Sequence, residues 1–339
     1  MKSLYIHSAV AISAQNTFEF SGELSEVNKA IDGKLKAIHP SYRDYIPPAA
    51  SRRMAPVVKM GVAAATKALQ EAEVGMPEAI LVGSGLGCME DTEKFLNSLI
   101  DNDEAFMTPT AFIQSTHNTV GAQIALGLGC KNYNNTYVHG NLSFESALLD
   151  AQLLIEEGQQ GAILVGGVDE LGNEFANYLQ QLEEEKSDGS TVPIGEGASF
   201  FVVSSEKKEG SVELKGMNTI QSVSEAQLIV RLEQFLKQQQ LQKKDIDALI
   251  TGNDGACSDT YFDTAISLLP KATSLKYKPI VGTYFTASAF SCWLGFQLVK
   301  KQTLPEAFGS INAGKEFKNV LLYNQSQGAE HSLILISKC

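Results

Sequence analysis

Ala79-Ile80-Leu81-Val82-Gly83-Ser84-Gly85-Leu86-Gly87 is an apolar run that breaks into a glycine loop. Aliphatic residues in succession, without polar alternation, mark a strand covered on both faces, as in a parallel sheet. Residues 57–72 just upstream (VVKMGVAAATKALQEA) are rich in helix formers, with apolar residues at helical spacing. A Gly75-Met76-Pro77 break separates that helix from the strand.

The same grammar returns later in the chain. Residues 225–240 (EAQLIVRLEQFLKQQQ) read as a helix and 246–251 as a strand, ending in the loop Gly252-Asn253-Asp254-Gly255. A second unit also occurs twice. Thr136-Tyr137-Val138 reads as a strand turning at His139-Gly140-Asn141 into a helix over 143–156. Pro279-Ile280-Val281 likewise reads as a strand turning at Gly282-Thr283 into a helix through Lys300. Two different strand–loop–helix units, once per half and in the same order, point to an internal duplication. The join falls near Lys207-Lys208-Glu209-Gly210, which gives halves of 1–206 and 211–339. Each half is expected to hold a mostly parallel sheet with helices on its faces.

Composition removes several functions. Lys and Arg total 27 against 39 Asp and Glu, a net charge of −12, so no phosphate backbone of a nucleic acid is an expected partner. The five cysteines are scattered and never form a CxxC pair, and the five histidines show no HExxH spacing. No disulfide scaffold, metal or cofactor is therefore expected, and a reducing cytoplasm fits. No stretch approaches the ~18 apolar residues of a membrane span. The opening MKSLYIHSAVAISA has only one early cation, and His7 interrupts its apolar run. It reads as a first strand, with a signal peptide as the lesser alternative.

Several motifs in order resemble the β-ketoacyl synthases of the thiolase superfamily. Arg52-Arg53-Met54 precedes the Ala-rich helix. Leu153-Leu154-Ile155-Glu156-Glu157-Gly158 leads to Ala162-Ile163-Leu164-Val165-Gly166-Gly167-Val168-Asp169-Glu170, and Gly195-Glu196-Gly197-Ala198 follows. Leu241 through Asp247 resembles the lead-in to the family's His-Gly-Thr loop. The resemblance implies an α/β, five-layer αβαβα thiolase-like fold with two duplicated halves. It also implies 3-oxoacyl-[acyl-carrier-protein] synthase chemistry, with a nucleophilic Cys at a strand-to-helix elbow, two histidines and a lysine. The thiolate takes the acyl chain, and backbone N–H groups hold the thioester oxygen.

The matching positions here carry other side chains. Counting back from Gly158 and Gly166-Gly167 puts Asn141 at the nucleophile position, Asp254 at the first histidine and Thr283 at the second. Only Lys278, five residues before Thr283, keeps the family's residue type. Asn324-Gln325-Ser326-Gln327-Gly328-Ala329 replaces the Gly-rich gating segment and lacks its Phe. A neutral amide cannot attack a thioester, so the Cys-His-His triad is lost. The resemblance then implies a non-catalytic, chain-length-factor-like subunit. Such a subunit pairs with an active ketosynthase in a heterodimer and works on chains carried by acyl carrier protein, in a polyketide or fatty-acid-like pathway.

Two rival readings stand beside this one. One is an acyl transferase or thioester hydrolase using His139 or Cys88, the residues outside the family's positions that stand near a loop or elbow. The other is a homodimer that binds acyl chains without a catalytic partner. Bland readings also hold. Gly83 to Gly87 misses the GxGxxG spacing and reads as a tight turn, and Cys292 beside Trp293 reads as core. Ser143 reads as the N-cap of the elbow helix, with Phe144, Ala147, Leu148, Ala151 and Ile155 as its apolar face.

Overall fold

The computed structural model describes residues 3–21, 24, 27–105, 109–184, 192–303, 305–308 and 315–339. The strands among them are β1 (Leu4–Ile12), β2 (Lys34–Leu35), β3 (Ala79–Gly83), β4 (Tyr133–Tyr137), β5 (Ile163–Asp169) and β6 (Ile194–Gly195). They continue with β7 (Gly197–Ser204), β8 (Val212–Gln221), β9 (Ala248–Thr251), β10 (Thr273–Lys276), β11 (Asn319–Ser326) and β12 (Glu330–Lys338). Ten of them form one sheet in the order β10-β9-β11-β12-β8-β1-β7-β5-β3-β4, while β2 and β6 pair apart.

Divided between β8 and β1, the sheet gives two sets of equal connectivity. Numbered within its own half, each set runs third-second-fourth-fifth-first, and its fifth strand is antiparallel to both neighbours. The sets touch through a short antiparallel ladder, Leu4 opposite Leu214, Tyr5 opposite Glu213 and Ile6 opposite Val212. β7 ends at Ser204 and β8 begins at Val212, so the charged segment around Lys207 is the connector.

Helices fill the five-layer arrangement. Pro56–Glu71 and Thr119–Leu128 cover the outer face of the N-terminal set, with Val57, Met60, Ala64 and Val120 packed against Ile80, Val82 and Phe200. Glu225–Gln238, started by a Ser224–Gln227 capping box, and Thr260–Leu268 cover the outer face of the other set. Between the sets lie two helices, Ser143–Glu157 and Ala287–Lys301. The inner core joins Phe144, Leu148 and Ile155 to Phe290, Trp293 and Leu298, and reaches strand residues of both sets such as Val165, Phe201, Ile250 and Ile334. A helix buried on every side needs apolar or small residues all round, which 287–299 supply: every one is buried.

Two expected strands are displaced. Residues 279–281 belong to a short helix, Lys278–Val281, and the strand of that unit is β10 upstream. Pro279 stands at the helix start, where its missing N–H costs nothing and its φ is already helical. The strand expected over 136–138 lies at Tyr133–Tyr137, an edge strand whose polar Asn-Asn-Thr centre hid it from a reading based on apolar runs.

Candidate active site

Three buried carboxylates from the two glycine-containing motifs build the frame. Asp169, at the end of β5, is fully buried. Its Oδ1 accepts from the Ser84 hydroxyl at 3.1 Å and from the N–H groups of Gly85 and Leu86 at 2.8 and 2.9 Å. Its Oδ2 accepts from the Thr286 N–H and hydroxyl at 2.9 and 2.8 Å. Glu170 accepts from Val57 N–H and Glu90 N–H, each in the first turn of a helix. These are free donors that a carboxylate suits. Glu196 accepts from Ala37 N–H and Leu171 N–H at 3.0 and 2.9 Å. Burial pushes the Glu170 carboxyl up to about 8 and raises that of Asp169. The Gly83-to-Gly87 loop is thus a turn tied to Asp169, as read from sequence.

The elbow sits against this frame. A Cβ on Gly83 would stand 2.5 Å from the Ser143 carbonyl, so only glycine lets β3 pass this close to the turn. Gly140 takes a left-handed φ of 50° and swings the chain into the helix Ser143–Glu157. Ser143 does accept a backbone N–H, but from His139 behind it at 2.9 Å, and it donates to the Gly140 carbonyl at 2.7 Å. The helix has no side-chain N-cap bond, and its cap residue is Leu142. Ser143 therefore cross-braces the elbow rather than capping the helix. The five residues expected as its apolar face are all buried.

Asn141 stands at this elbow and donates from Nδ2 to the Ser326 hydroxyl at 2.8 Å. Ser326 ends β11. Nearby, Lys278 Nζ lies 2.8 Å from Asp254 Oδ2 in a largely buried ion pair. Thr283 uses its backbone: its N–H donates to the Pro193 carbonyl at 2.8 Å, and its carbonyl accepts from Gly195 N–H at 2.9 Å. The structure thus joins Asp254 to Lys278 and Asn141 to Ser326, with Thr283 held in a bridge to β6.

Asn141, Leu142, Tyr277, Lys278, Tyr284 and Ser326 are among the residues lining a cavity of about 20 Å³. A space of that size holds about one water molecule, whereas ligand pockets run to roughly 300–1,000 Å³. The sequence reading missed several of its walls. Tyr277 donates to Asn324 Oδ1 at 2.7 Å, and Asn324 Nδ2 reaches Ser291 Oγ at 3.4 Å. Glu145, fully buried, accepts from Ser288 at 3.1 Å and from Ser332 at 2.8 Å, both of which line the cavity. Burial pushes its carboxyl up to about 7. A charged residue adjoining Phe144 and one turn before Leu148 was the visible signal, because that stripe faces the core.

The residues outside the family's positions lie away from that cavity. Cys88 is completely buried at the start of the helix Met89–Asp101, and burial pushes its thiol up to about 12, with Glu170 and Asp91 adding to the rise. A thiol so raised holds almost no thiolate near neutral pH. His139 is exposed, with Nδ1 3.1 Å from Ser146 Oγ. Cys292 is buried in the inner core, as expected. The side chain of Cys257 lies outside the described residues. Among the described residues no group of three or more His, Cys, Asp and Glu is placed to hold a metal ion, and no helix is long and apolar enough to cross a membrane.

Comparison with known proteins fits this geometry. Residues 28–247 match the family model described as beta-ketoacyl synthase, N-terminal domain, and the chain belongs to that family. No curated protein matches it significantly. Among solved structures, the fold is similar to a type II PKS acyl-carrier protein in complex with its ketosynthase bound to the hexaketide (TM-score 0.78, 14% identity, 100% of both chains). It is similar to the ishigamide ketosynthase/chain length factor (0.77, 15%, 99% of both chains). It is also similar to a ketosynthase in complex with its chain length factor from Xenorhabdus doucetiae (0.76, 14%, 100% of this chain and 98% of that one). At these identities the likeness carries the fold alone.

Proposed function

We propose that this member of the beta-ketoacyl synthase family is a non-catalytic, chain-length-factor-like subunit. Its two units are the halves 1–206 and 211–339. It pairs with an active ketosynthase and helps shape the space for an acyl chain borne by acyl carrier protein, in the cytoplasm. The observation that carries this reading is Asn141. An amide occupies the elbow, its N–H₂ is engaged by Ser326 at 2.8 Å, and the adjoining cavity of about 20 Å³ has room for a water and none for an acyl chain.

The rest of the site supports the same reading. Decarboxylation and condensation need groups that stabilise an enolate and its oxygen. At the positions resembling the two histidines stand a carboxylate already paired with Lys278 and a threonine engaged through its backbone. The raised thiol of Cys88 and the exposed setting of His139 speak against a hydrolase built on either.

A partner has a surface to meet. β4 pairs only with β3, leaving its other edge without a strand among the described residues. Tyr133 on that edge and the neighbouring Val138, Leu149 and Leu153 are exposed. Unpaired edges flanked by exposed apolar residues are surfaces at which chains associate. Obligate pairs of this kind bury ~2,000–5,000 Å².

Co-expression with a Cys-containing ketosynthase encoded beside it tests the proposal. The expected result is a one-to-one complex by size, with condensation that is lost when the partner's nucleophile is replaced and kept when Asn141 is changed to Ala. A chain that remains a homodimer in the presence of that ketosynthase, or turns over acyl thioesters alone, overturns it.

A further inference from the structure

The two halves differ in charge. Residues 1–206 carry 12 Lys and Arg against 27 Asp and Glu, whereas the connector and C-terminal half, 207–339, carry 15 against 12. The fold gathers these cations at one end. In the C-terminal set β9, β10 and β11 run parallel, and β12 returns antiparallel to β11 and β8. The entries to β8, β9, β10 and β11 therefore lie together with the end of β12, on the side away from Ser326 and Asp254. Six exposed lysines stand on those entries and on the helix ends that feed them. Lys207 and Lys208 precede β8, Lys237 and Lys244 precede β9, Lys271 precedes β10, and Lys300 is near the end of the helix Ala287–Lys301.

Contacts make this surface continuous. Lys315 Nζ reaches the Lys271 carbonyl at 3.1 Å, Gln302 Nε2 reaches the Phe317 carbonyl at 2.9 Å, and Ser211 Oγ lies 3.9 Å from Cys339 Sγ. Burial, then Lys208, and then Lys300 push the His7 imidazole down to about 4 against the pull of Glu206, so these two lysines share one neighbourhood. Among the described residues the ion pairs at this end use other lysines, Lys243 with Glu233, and Lys318 and Lys338 with Glu316. Asp245 and Asp247 are engaged by the backbone N–H groups of Gln242, Lys318 and Asn319. Glu206, Glu209 and Glu213 are left to oppose the six lysines.

The make-up of this end selects what it meets. A protein interface is centred on buried apolar side chains, and among the described residues of 207–339 Val230, two turns before Lys237, is the one large apolar side chain that is exposed. The six cations are all lysine, point charges suited to a diffuse field rather than to bidentate recognition. An anionic leaflet supplies such a field, and each lysine near it tightens binding ~5-fold. The acid of the other half does not cancel this attraction. At ~0.15 M salt the Debye length is ~8 Å, against a radius of gyration of ~20 Å for a chain of this length. We infer that this end of the C-terminal half docks on an anionic phospholipid bilayer, with Ser326 and the elbow it meets on the side away from the lipid. The inference rests on no part of the proposed function, and its test needs neither acyl carrier protein nor a ketosynthase.

Co-sedimentation of the full chain with vesicles tests it. With phosphatidylglycerol and phosphatidylcholine in equal parts, the chain should sediment with the vesicles at ~0.1 M salt. With phosphatidylcholine alone it should stay in solution. Raising the salt to ~1 M, where the Debye length falls to ~3 Å, should release it from the anionic vesicles. Lys207→Gln, Lys208→Gln and Lys300→Gln together, all exposed positions, should lower the partition coefficient ~100-fold. Lys29→Gln, Lys36→Gln and Arg43→Gln together remove the same charge from exposed positions of the other half, and should change it less than ~2-fold. The inference is overturned by a chain that stays in solution with the anionic vesicles, by equal sedimentation with neutral ones, or by a control triple variant that loses as much binding as the first.

Discussion

Asp169 takes five hydrogen bonds from two stretches of chain, Ser84 to Leu86 and Thr286, whereas Asn141 at the elbow donates one to Ser326. The contrast extends to their surroundings. Glu170 and Glu196 each satisfy two backbone N–H groups, so changing either would leave buried donors without their acceptor. Asp254 and Lys278 pair with each other, and Thr283 reaches Pro193 and Gly195 through its backbone alone, so changing these three side chains should leave the frame standing. On the proposed reading, the family's motifs are kept where they carry the fold and altered where they would carry the chemistry.

The sharpest way to break this contrast is to remove one member of the frame. Asp169→Ala takes the acceptor from three buried or part-buried N–H groups and two hydroxyls. It should lower stability by on the order of 4 kcal/mol, seen as a fall in urea midpoint with little change in slope. A loss below ~1 kcal/mol, the range of surface changes, would show that the frame does not depend on its carboxylates.

Glu145 offers the next test, through pH. Its carboxyl is raised from 4.5 to about 7 by burial, so the folded protein binds this proton more tightly than the unfolded chain. Its contribution is therefore full below ~4.5 and is lost as pH rises toward ~7, after which it stays constant. Glu145→Gln should remove that slope. The difference between the two proteins should change by on the order of 3 kcal/mol between pH 4.5 and 7.5, read from urea midpoints at each pH. Parallel stability curves for the two proteins would mean that Glu145 is ionised in the fold.

Much of this was legible in the sequence, for reasons that explain the rest. The continuous apolar runs at β3 and β5 and the repeated order of units gave away the layers, because a strand buried on both faces has no polar alternation. β4 and the 278–281 helix were misplaced. An edge strand pairs through backbone that its side chains do not advertise, and Pro279 suits a first helical turn as well as a strand end. Spacing singled out Asn141, Asp254, Thr283 and Lys278, but nothing local announces that Asn141 meets Ser326, 185 positions away. The Glu145 contacts to Ser288 and Ser332 are equally remote in sequence.

Changes at the altered positions should do far less. Asp254→Asn breaks a pair whose carboxylate is about a quarter exposed, and should cost ~1 kcal/mol or less. A larger loss would place this pair in the frame. On the proposed reading, Asn141→Cys supplies a sulfur but leaves Asp254 and Thr283 at the positions matched to the histidines. It should give no condensation product on acyl carrier protein above background, measured by mass spectrometry of the carrier. Recovered turnover would show that the remaining groups suffice.

The most direct test of the account is intact mass of the isolated chain after incubation with acyl thioesters of acyl carrier protein. An unchanged mass is predicted, since the elbow presents an amide and the Cys88 thiol is buried and raised to about 12. A mass increased by one acyl group, mapped to any cysteine, would contradict it.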